Sequence, residues 1–348
     1  MKRLRFLLFP FALIYGLIVL IRNFFYNRQI FRSARFNMPI ICVGNLSMGG
    51  TGKTPHTEYL IRLLKDKYKL ATLSRGFGRK EHTFRIADKN ATAINLGDEP
   101  LQYYLKFNDE ITVAVMANRV HGVIDICDAK PATTLILLDD AYQHRAIHAG
   151  LNLLLTAYDD PFYNDFIAPV GNLREFRAGK KRANAVIVTK CPDFAKINKS
   201  EIAEKLKLST DQKLFFSRIR YGNLIAVNDS SSLDSTAPSQ VILVTGIANA
   251  APLVEHLAKQ HEIVHHFNYR DHHSFSAQNL AEIHNLFDKF ASPETILVTT
   301  EKDVMRLKNP EFEKALKKYP WYYQSIEVEL DQPSEFDKLI LEYAEKNS

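Results

Sequence analysis

The sequence predicts an α/β fold: a parallel-sheet core, a second, smaller α/β domain and an amino-terminal membrane-associated helix. Three observations carry this. From Pro39 onward, short and continuously apolar β-rich runs alternate with helix-like segments, the pattern of a parallel sheet buried on both faces. A glycine-rich stretch, "VGNLSMGGTGKTP" (Val43–Pro55), joins the first such run to the first helix-like one, which is the setting of a phosphate-binding P-loop. The first 35 residues are at once apolar and basic.

The 348 residues allow two domains of ordinary size, and 46% hydrophobic with 24% charged residues is a globular composition. Cys42, Cys127 and Cys191 are far apart and odd in number. They suit a reducing compartment better than a disulfide framework or a zinc site. The net charge of +6 has a location. Residues 1–57 hold eight Lys or Arg and no acid, leaving 37 basic and 39 acidic residues in the other 291. That near-balance argues against a nucleic-acid partner.

Residues 1–35 open with Lys2, Arg3 and Arg5, followed by sixteen uncharged residues, Phe6 to Ile21. As a helix these sixteen would rise roughly 24 Å, short of a ~30 Å hydrocarbon core. Pro10 is expected to weaken or kink a helix through it. A cleaved signal peptide fits the charge and length but lacks a small-x-small cleavage site. A full span, a merely buried helix and a helix set into one leaflet remain. In the last, each arginine near anionic headgroups contributes about 1 kcal/mol. The expectation is attachment rather than export.

In the core, residues 36–210, strands are expected at "IICVG", "KLATLS", "ITVAVM", "TLILLDD", "LNLLLT" and "NAVIVTK", and helices at "PHTEYLIRLLKDK" and "EPLQYYLKF". Residues 211–240 read as a linker, with "QKLFFSRIRYGNLIAV" resembling a strand pair and "NDSSSLDSTAPSQ" an exposed loop. The α/β alternation resumes over 241–330 through "QVILVTGIANAAPLVEHLAKQ", "HEIVHHFNY" and "ETILVTTEKDVMRL", and a carboxy-terminal helix is expected over 331–348.

The P-loop departs from G-x-x-x-x-G-K-[ST] at one position, where Ser47 replaces the first glycine. Gly49, Gly50 and Gly52 remain, with Met48 and Thr51 between them, so backbone N–H groups can close around phosphate oxygens. Lys53 would neutralise the β- and γ-phosphates and Thr54 would ligate Mg²⁺. Asp139 and Asp140 end an apolar strand, where a metal ligand is needed, although either would also serve as a helix cap or surface acid. Asp98 in "NLGDEP" reads most simply as an N-cap. His272 and His273 in "NYRDHHSFS" are a pair of the kind more often structural than catalytic. Arg75, Arg79, Arg119, Arg174, Arg177 and Arg182 are either solvated charges or binders of phosphate.

Taken in order, "VGNLSMGGTGKTP", "LSRGFGR", "LGDEP", "ILLDDAYQHR", "PVGNLRE", "DHHSF" and "TTEKDVMRL" resemble the tetraacyldisaccharide 4′-kinases of lipid A biosynthesis. That family is similar in carrying serine at the first P-loop position. The resemblance implies ATP and Mg²⁺ as cofactors. It also implies a glycolipid acceptor, lipid A disaccharide 1-phosphate, met at the cytoplasmic face of the inner membrane. Asp98 and His272 would form the catalytic pair, with Asp98 as base; Lys53, Arg119 and Arg174 would stabilise the transferred group; Thr54, Asp139 and Asp140 would hold the metal. Phe77 departs from the tyrosine of many members, and His273 occupies a less fixed position. The rival reading is a membrane-associated P-loop ATPase that drives a partner's conformational change.

Overall fold

The computed structural model describes residues 5–79, 81–228, 232–233, 240–290 and 294–348. Lys2 and Arg3, and most of the serine-rich stretch expected to be an exposed loop, lie outside the described residues. Among the described residues, thirteen strands form one sheet in the order β11-β10-β12-β13-β8-β7-β6-β1-β5-β2-β4-β3, with β9 paired to β8.

In the first half of the sheet, β1 (Ile40–Asn45), β2 (Leu70–Ser74), β4 (Thr112–Val115), β5 (Leu135–Asp139), β6 (Leu151–Ala157) and β7 (Ala185–Thr189) are mutually parallel; β3 (Arg85–Ile86) is an antiparallel edge. Every residue of β1, β2, β5 and β7 is buried, as continuously apolar runs require when helices cover both faces. The helices of this half are α1 (Phe9–Asn27), α2 (Lys53–Leu64), the single turn α3 (Ala93–Leu96), α4 (Asp98–Phe107), α5 (Arg119–Ala129) and α6 (Lys199–Leu206).

β8 (Lys213–Ala226) is one strand of fourteen residues, not the strand pair expected. Its first part pairs parallel with β7 and its remainder antiparallel with β13 (Trp321–Leu330), so it carries the sheet across from one half to the other. No reversal occurs at Gly222: β8 pairs with β13 on both sides of it, and a Cβ there would lie 2.6 Å from Ser325 Oγ. β9 (Ser232–Leu233) adds a short antiparallel edge.

Beyond β13 the sheet continues through β10 (Gln240–Thr245), β11 (Glu262–Asn268) and β12 (Thr295–Thr300), all parallel, with α7 (Ala251–Leu257), α8 (Ala277–Phe290), α9 (Glu301–Leu307) and α10 (Glu313–Lys317). The last helix, α11 (Pro333–Lys346), returns to the first half, where Tyr343 Oη donates to Ile40 O and Tyr59 Oη donates to Asp337. One apolar cluster runs through both halves, from Ile41 and Leu137 to Ile242, Trp321 and Phe336.

α1 differs from the expectation in length. With a preceding 3₁₀ turn, the helical run covers Phe6–Asn27, roughly 33 Å, and is long and apolar enough to cross a membrane. Pro10 does not break it. It lies in the first turn of α1, where the missing N–H would have no intrahelical partner and the fixed φ already suits a helix. Only Ala12, Gly16 and Val19 are buried, so one narrow stripe faces the protein and the large apolar side chains point outward.

Candidate active site

The P-loop is built from both ends. β1 delivers the chain to Asn45, whose amide donates to Thr51 Oγ1 at 2.9 Å, and Gly52 at φ 81 turns it into α2. Gly49 at φ 131 is the other residue in the left-handed region. Ser47 needs no glycine. It lies in an antiparallel bridge with Leu173, flanked by Met48 N donating to Asn172 O and Arg174 N donating to Leu46 O, so its backbone is extended. The departure from the motif is thus a piece of β-pairing. The first N–H groups of α2 have no partners within the helix and are available to an anion. Pro55, lacking an N–H, sits in that first turn at no cost to the ladder.

Behind the loop, His56 is buried, its Nδ1 2.7 Å from Gly52 O and its Nε2 2.9 Å from Ser217 Oγ. Burial pushes its pKa down to about 4, so the ring is neutral. Nδ1–H therefore donates to the carbonyl and Nε2 accepts from the serine.

Asp139 ends β5, fully inside. Tyr103 Oη and Ser74 Oγ approach its Oδ2 at 3.2 and 3.4 Å, while its buried Oδ1 has no partner. Burial first, then the neighbouring Asp140 carboxylate, pushes the carboxyl up to about 7. An orphaned carboxylate oxygen at this place fits a divalent cation. Asp140, at φ 48, faces the other way: Arg174 donates to it at 2.8 Å and Lys53 Nζ lies 3.6 Å off. Burial opposes its charge, but Lys53 and Arg174 outweigh burial and hold its pKa below the usual range. Among the described residues, no three His, Cys, Asp or Glu cluster as a self-sufficient metal site. Mg²⁺ does not need one, since it is commonly held by one or two carboxylates, phosphates and water.

The arginines sort by what they touch. Arg174 reaches Asp140; Arg177 donates to Asp165 O; Arg182 pairs with Glu175; Arg79 donates to Thr83 O; Arg75 is exposed. Arg119 is fully buried and donates to the carbonyls of Met116, Ala117 and Asp139, beneath the acidic strand end. Burial lowers its pKa to about 10, still charged at neutral pH.

Asp98 is not an N-cap. Gly97, at φ 98, takes that position; Asp98 is the first helical residue of α4 and makes no capping bond. Its carboxylate instead faces His272 Nδ1 at 3.5 Å and Arg306 Nε at 3.5 Å. His272 is held at φ 57, its N–H bonded to Gly246 O and to Asp271 Oδ1. Lys302 Nζ donates to Nε2 at 3.0 Å, which leaves the ring proton on Nδ1, toward Asp98. α4 joins the two parts of the site, since Tyr103 on the same helix reaches Asp139.

Lys302 and Arg306 escaped the sequence reading although "TTEKDVMRL" contains both. Their signal was a four-residue spacing on a short helix after an apolar strand, putting both cations on one face. His273 is outside the pair: it stacks on Tyr269 at 4.3 Å, with Nε2 3.0 Å from Asn279 Oδ1. The Phe77 ring meets His272 edge-on at 5.5 Å.

Phosphate-cradling backbone, an acidic strand end and a carboxylate–imidazole pair place the chain among P-loop phosphotransferases. Comparison narrows the class. A sequence profile described as tetraacyldisaccharide-1-P 4′-kinase matches residues 4–345. The tetraacyldisaccharide 4′-kinase of Flavobacterium johnsoniae is 44% identical over 350 residues, covering 100% of this chain and 99% of that one. That of Bacteroides thetaiotaomicron is 42% identical over 357 residues, with 98% and 93% covered. A crystal structure of LpxK from Aquifex aeolicus in complex with ATP superposes with a TM-score of 0.77 at 26% identity, covering 98% of this chain and 99% of that one. The chain belongs to the tetraacyldisaccharide 4′-kinase family.

Proposed function

We propose that this chain transfers the γ-phosphoryl group of ATP to the 4′-hydroxyl of lipid A disaccharide 1-phosphate, at the cytoplasmic face of the inner membrane. The observation that carries the mechanism is the Asp98–His272 approach at 3.5 Å, made between residues from the two halves of the sheet. A sugar hydroxyl is a weak nucleophile at neutral pH, so a carboxylate within reach lowers the barrier by taking its proton as the O–P bond forms. Asp98 takes the proton. His272, its tautomer set by Lys302, orients Asp98 through Nδ1–H. Arg306 lies beside the carboxylate, with its Nε 3.5 Å from Oδ2.

The N–H groups of Gly49, Gly50, Gly52, Lys53 and Thr54, with the Lys53 side chain, bind the β- and γ-phosphates, while Met48 N–H is spent on Asn172 O and Thr51 N–H on Gly49 O. Thr54 with Asp139, supported by Asp140, would hold Mg²⁺, which when bound neutralises charge on the phosphate oxygens. Arg174 supplies positive charge at the cleft, and Arg119 acts from beneath through its field and its hold on the Asp139 carbonyl. The outward apolar face of α1, with Arg22 in the helix and Arg5 and Arg28 flanking it, seats the enzyme where an acylated acceptor resides.

The reading is tested by incubating the full chain with ATP, Mg²⁺ and the disaccharide 1-phosphate, then recording the ³¹P NMR spectrum of the extracted lipid. A second phosphomonoester on the 4′ oxygen is expected. ADP without modified lipid would favour the ATPase reading instead.

A further inference from the structure

The contacts of α1 are more specific than an anchor requires. Its buried stripe, Ala12, Gly16 and Val19, continues to Asn23 at helical spacing. The stripe faces the segment 172–176. A Cβ on Gly16 would lie 2.8 Å from Cζ of Phe176. Tyr15 Oη donates to Arg174 O at 2.8 Å, Asn23 Nδ2 to Glu175 Oε2 at 3.0 Å, and Arg5 to Asn172 Oδ1 at 3.1 Å.

The other side of the same segment is the nucleotide site. Asn172 and Arg174 pair by their backbones with Met48 and Leu46, Leu173 bridges Ser47, and the Arg174 guanidinium holds Asp140. Glu175, with no exposed surface, accepts from Arg182, Gln143 and Asn23; Gln143 also donates to Asn45 O at the start of the P-loop. Asn23 is thus a donor to a buried carboxylate at the base of the loop. Losing it leaves Oε2 with Arg182 Nη1 alone, at 2.9 Å, and removes the tie between α1 and the strap.

We infer that Tyr15 and Asn23 of α1 are positioning residues of the nucleotide site. They fix the 172–176 strap, and with it Arg174 and the first half of the P-loop, so the helix that seats the enzyme in a membrane also completes the ATP site. The inference rests on the kinase reading for its catalytic arm and on ATP binding alone for the rest.

The test uses the full-length enzyme in detergent micelles, where delivery of a lipid acceptor does not depend on membrane attachment. Asn23→Leu is expected to weaken ATP binding and lower kcat, each about five- to tenfold, the scale of one lost hydrogen bond to a buried charge. Its partition onto anionic phospholipid vesicles should match wild type, because the outward face is untouched. Asn23→Gln, which keeps a donor amide, should recover most of both quantities. Tyr15→Phe removes one oxygen and serves if Asn23→Leu folds poorly; it should lower kcat about threefold at unchanged Tm. Ile14→Ala and Ile18→Ala, on the exposed face, should weaken vesicle partition and leave micellar kcat alone. Wild-type ATP affinity and kcat in both Asn23→Leu and Tyr15→Phe would overturn the inference, as would losses that track vesicle partition. A wild type that labels no lipid would sink the kinase reading instead, and the ATP affinity of Asn23→Leu would still decide this one.

Discussion

A single residue can look wrong in a motif and be right in the fold, as Ser47 is. Its extended backbone, paired with Leu173, asks nothing of glycine. Ser47→Gly should therefore keep kcat and the KM for ATP within about threefold, measured by steady-state kinetics, a far smaller effect than losing a charged phosphate ligand. Asp98 shows the reverse. Its sequence setting suggested a helix cap, and it is the adjacent Gly97, free to adopt φ 98, that releases the carboxylate for His272. Lys302 sets the His272 tautomer, so Lys302→Met should lower kcat about tenfold and leave the KM for ATP nearly unchanged. An equal rise in that KM would assign Lys302 to nucleotide binding. The P-loop and the acidic strand end were legible because short motifs carry them; the Asp98–His272 pairing was implied only by the family resemblance, since by themselves the residues read as a helix cap and a structural histidine pair. Lys302, Arg306 and the Asn23–Glu175 contact were not legible, because each depends on which helix faces lie together, and a single chain does not display that.

At the scale of elements, strands were easier to read than their connections. Continuous apolar runs such as β5 and β7 can only be buried strands or buried helix, and their length decides. β8 was misread as a pair because its outer part alternates and contains Gly222, features shared by a hairpin and by a long strand crossing between halves. Helices meet across that crossing. Lys106 of α4 bridges Glu58 of α2 at 2.7 Å and Glu301 of α9 at 2.5 Å. Burial, then the Glu58 carboxylate, raises the Glu301 pKa from 4.5 to about 7. The folded chain thus holds a proton between those values that the unfolded chain has released, so this site loses stability as pH rises through the window. Glu301→Gln removes that titration. Its unfolding free energy relative to wild type should rise from about pH 4.5 to about pH 7 and then level, as measured by urea denaturation across pH. A difference independent of pH would mean that Glu301 stays ionised.

Across the whole molecule, the sheet is continuous, yet the site is assembled from both halves. The glycine-rich β1–α2 loop lies in the first half, while Asp98, the proposed base, is met by His272 and Arg306 from beyond β8, with Lys302 on His272. We propose that such a division delays productive chemistry until acceptor and nucleotide are both in place, limiting wasteful hydrolysis. ATP hydrolysis without acceptor should accordingly run at least ~100-fold below kinase turnover; equal rates would contradict a gated site. We propose Asp98 as the base of a glycolipid kinase. The most direct measurement is transfer of radiolabelled γ-phosphate from ATP to lipid A disaccharide 1-phosphate in micelles, comparing wild type with Asp98→Ala. Labelled lipid is expected from the wild type, with a loss of at least ~100-fold in the variant and ATP affinity retained. Labelled lipid from both at similar rates would contradict it.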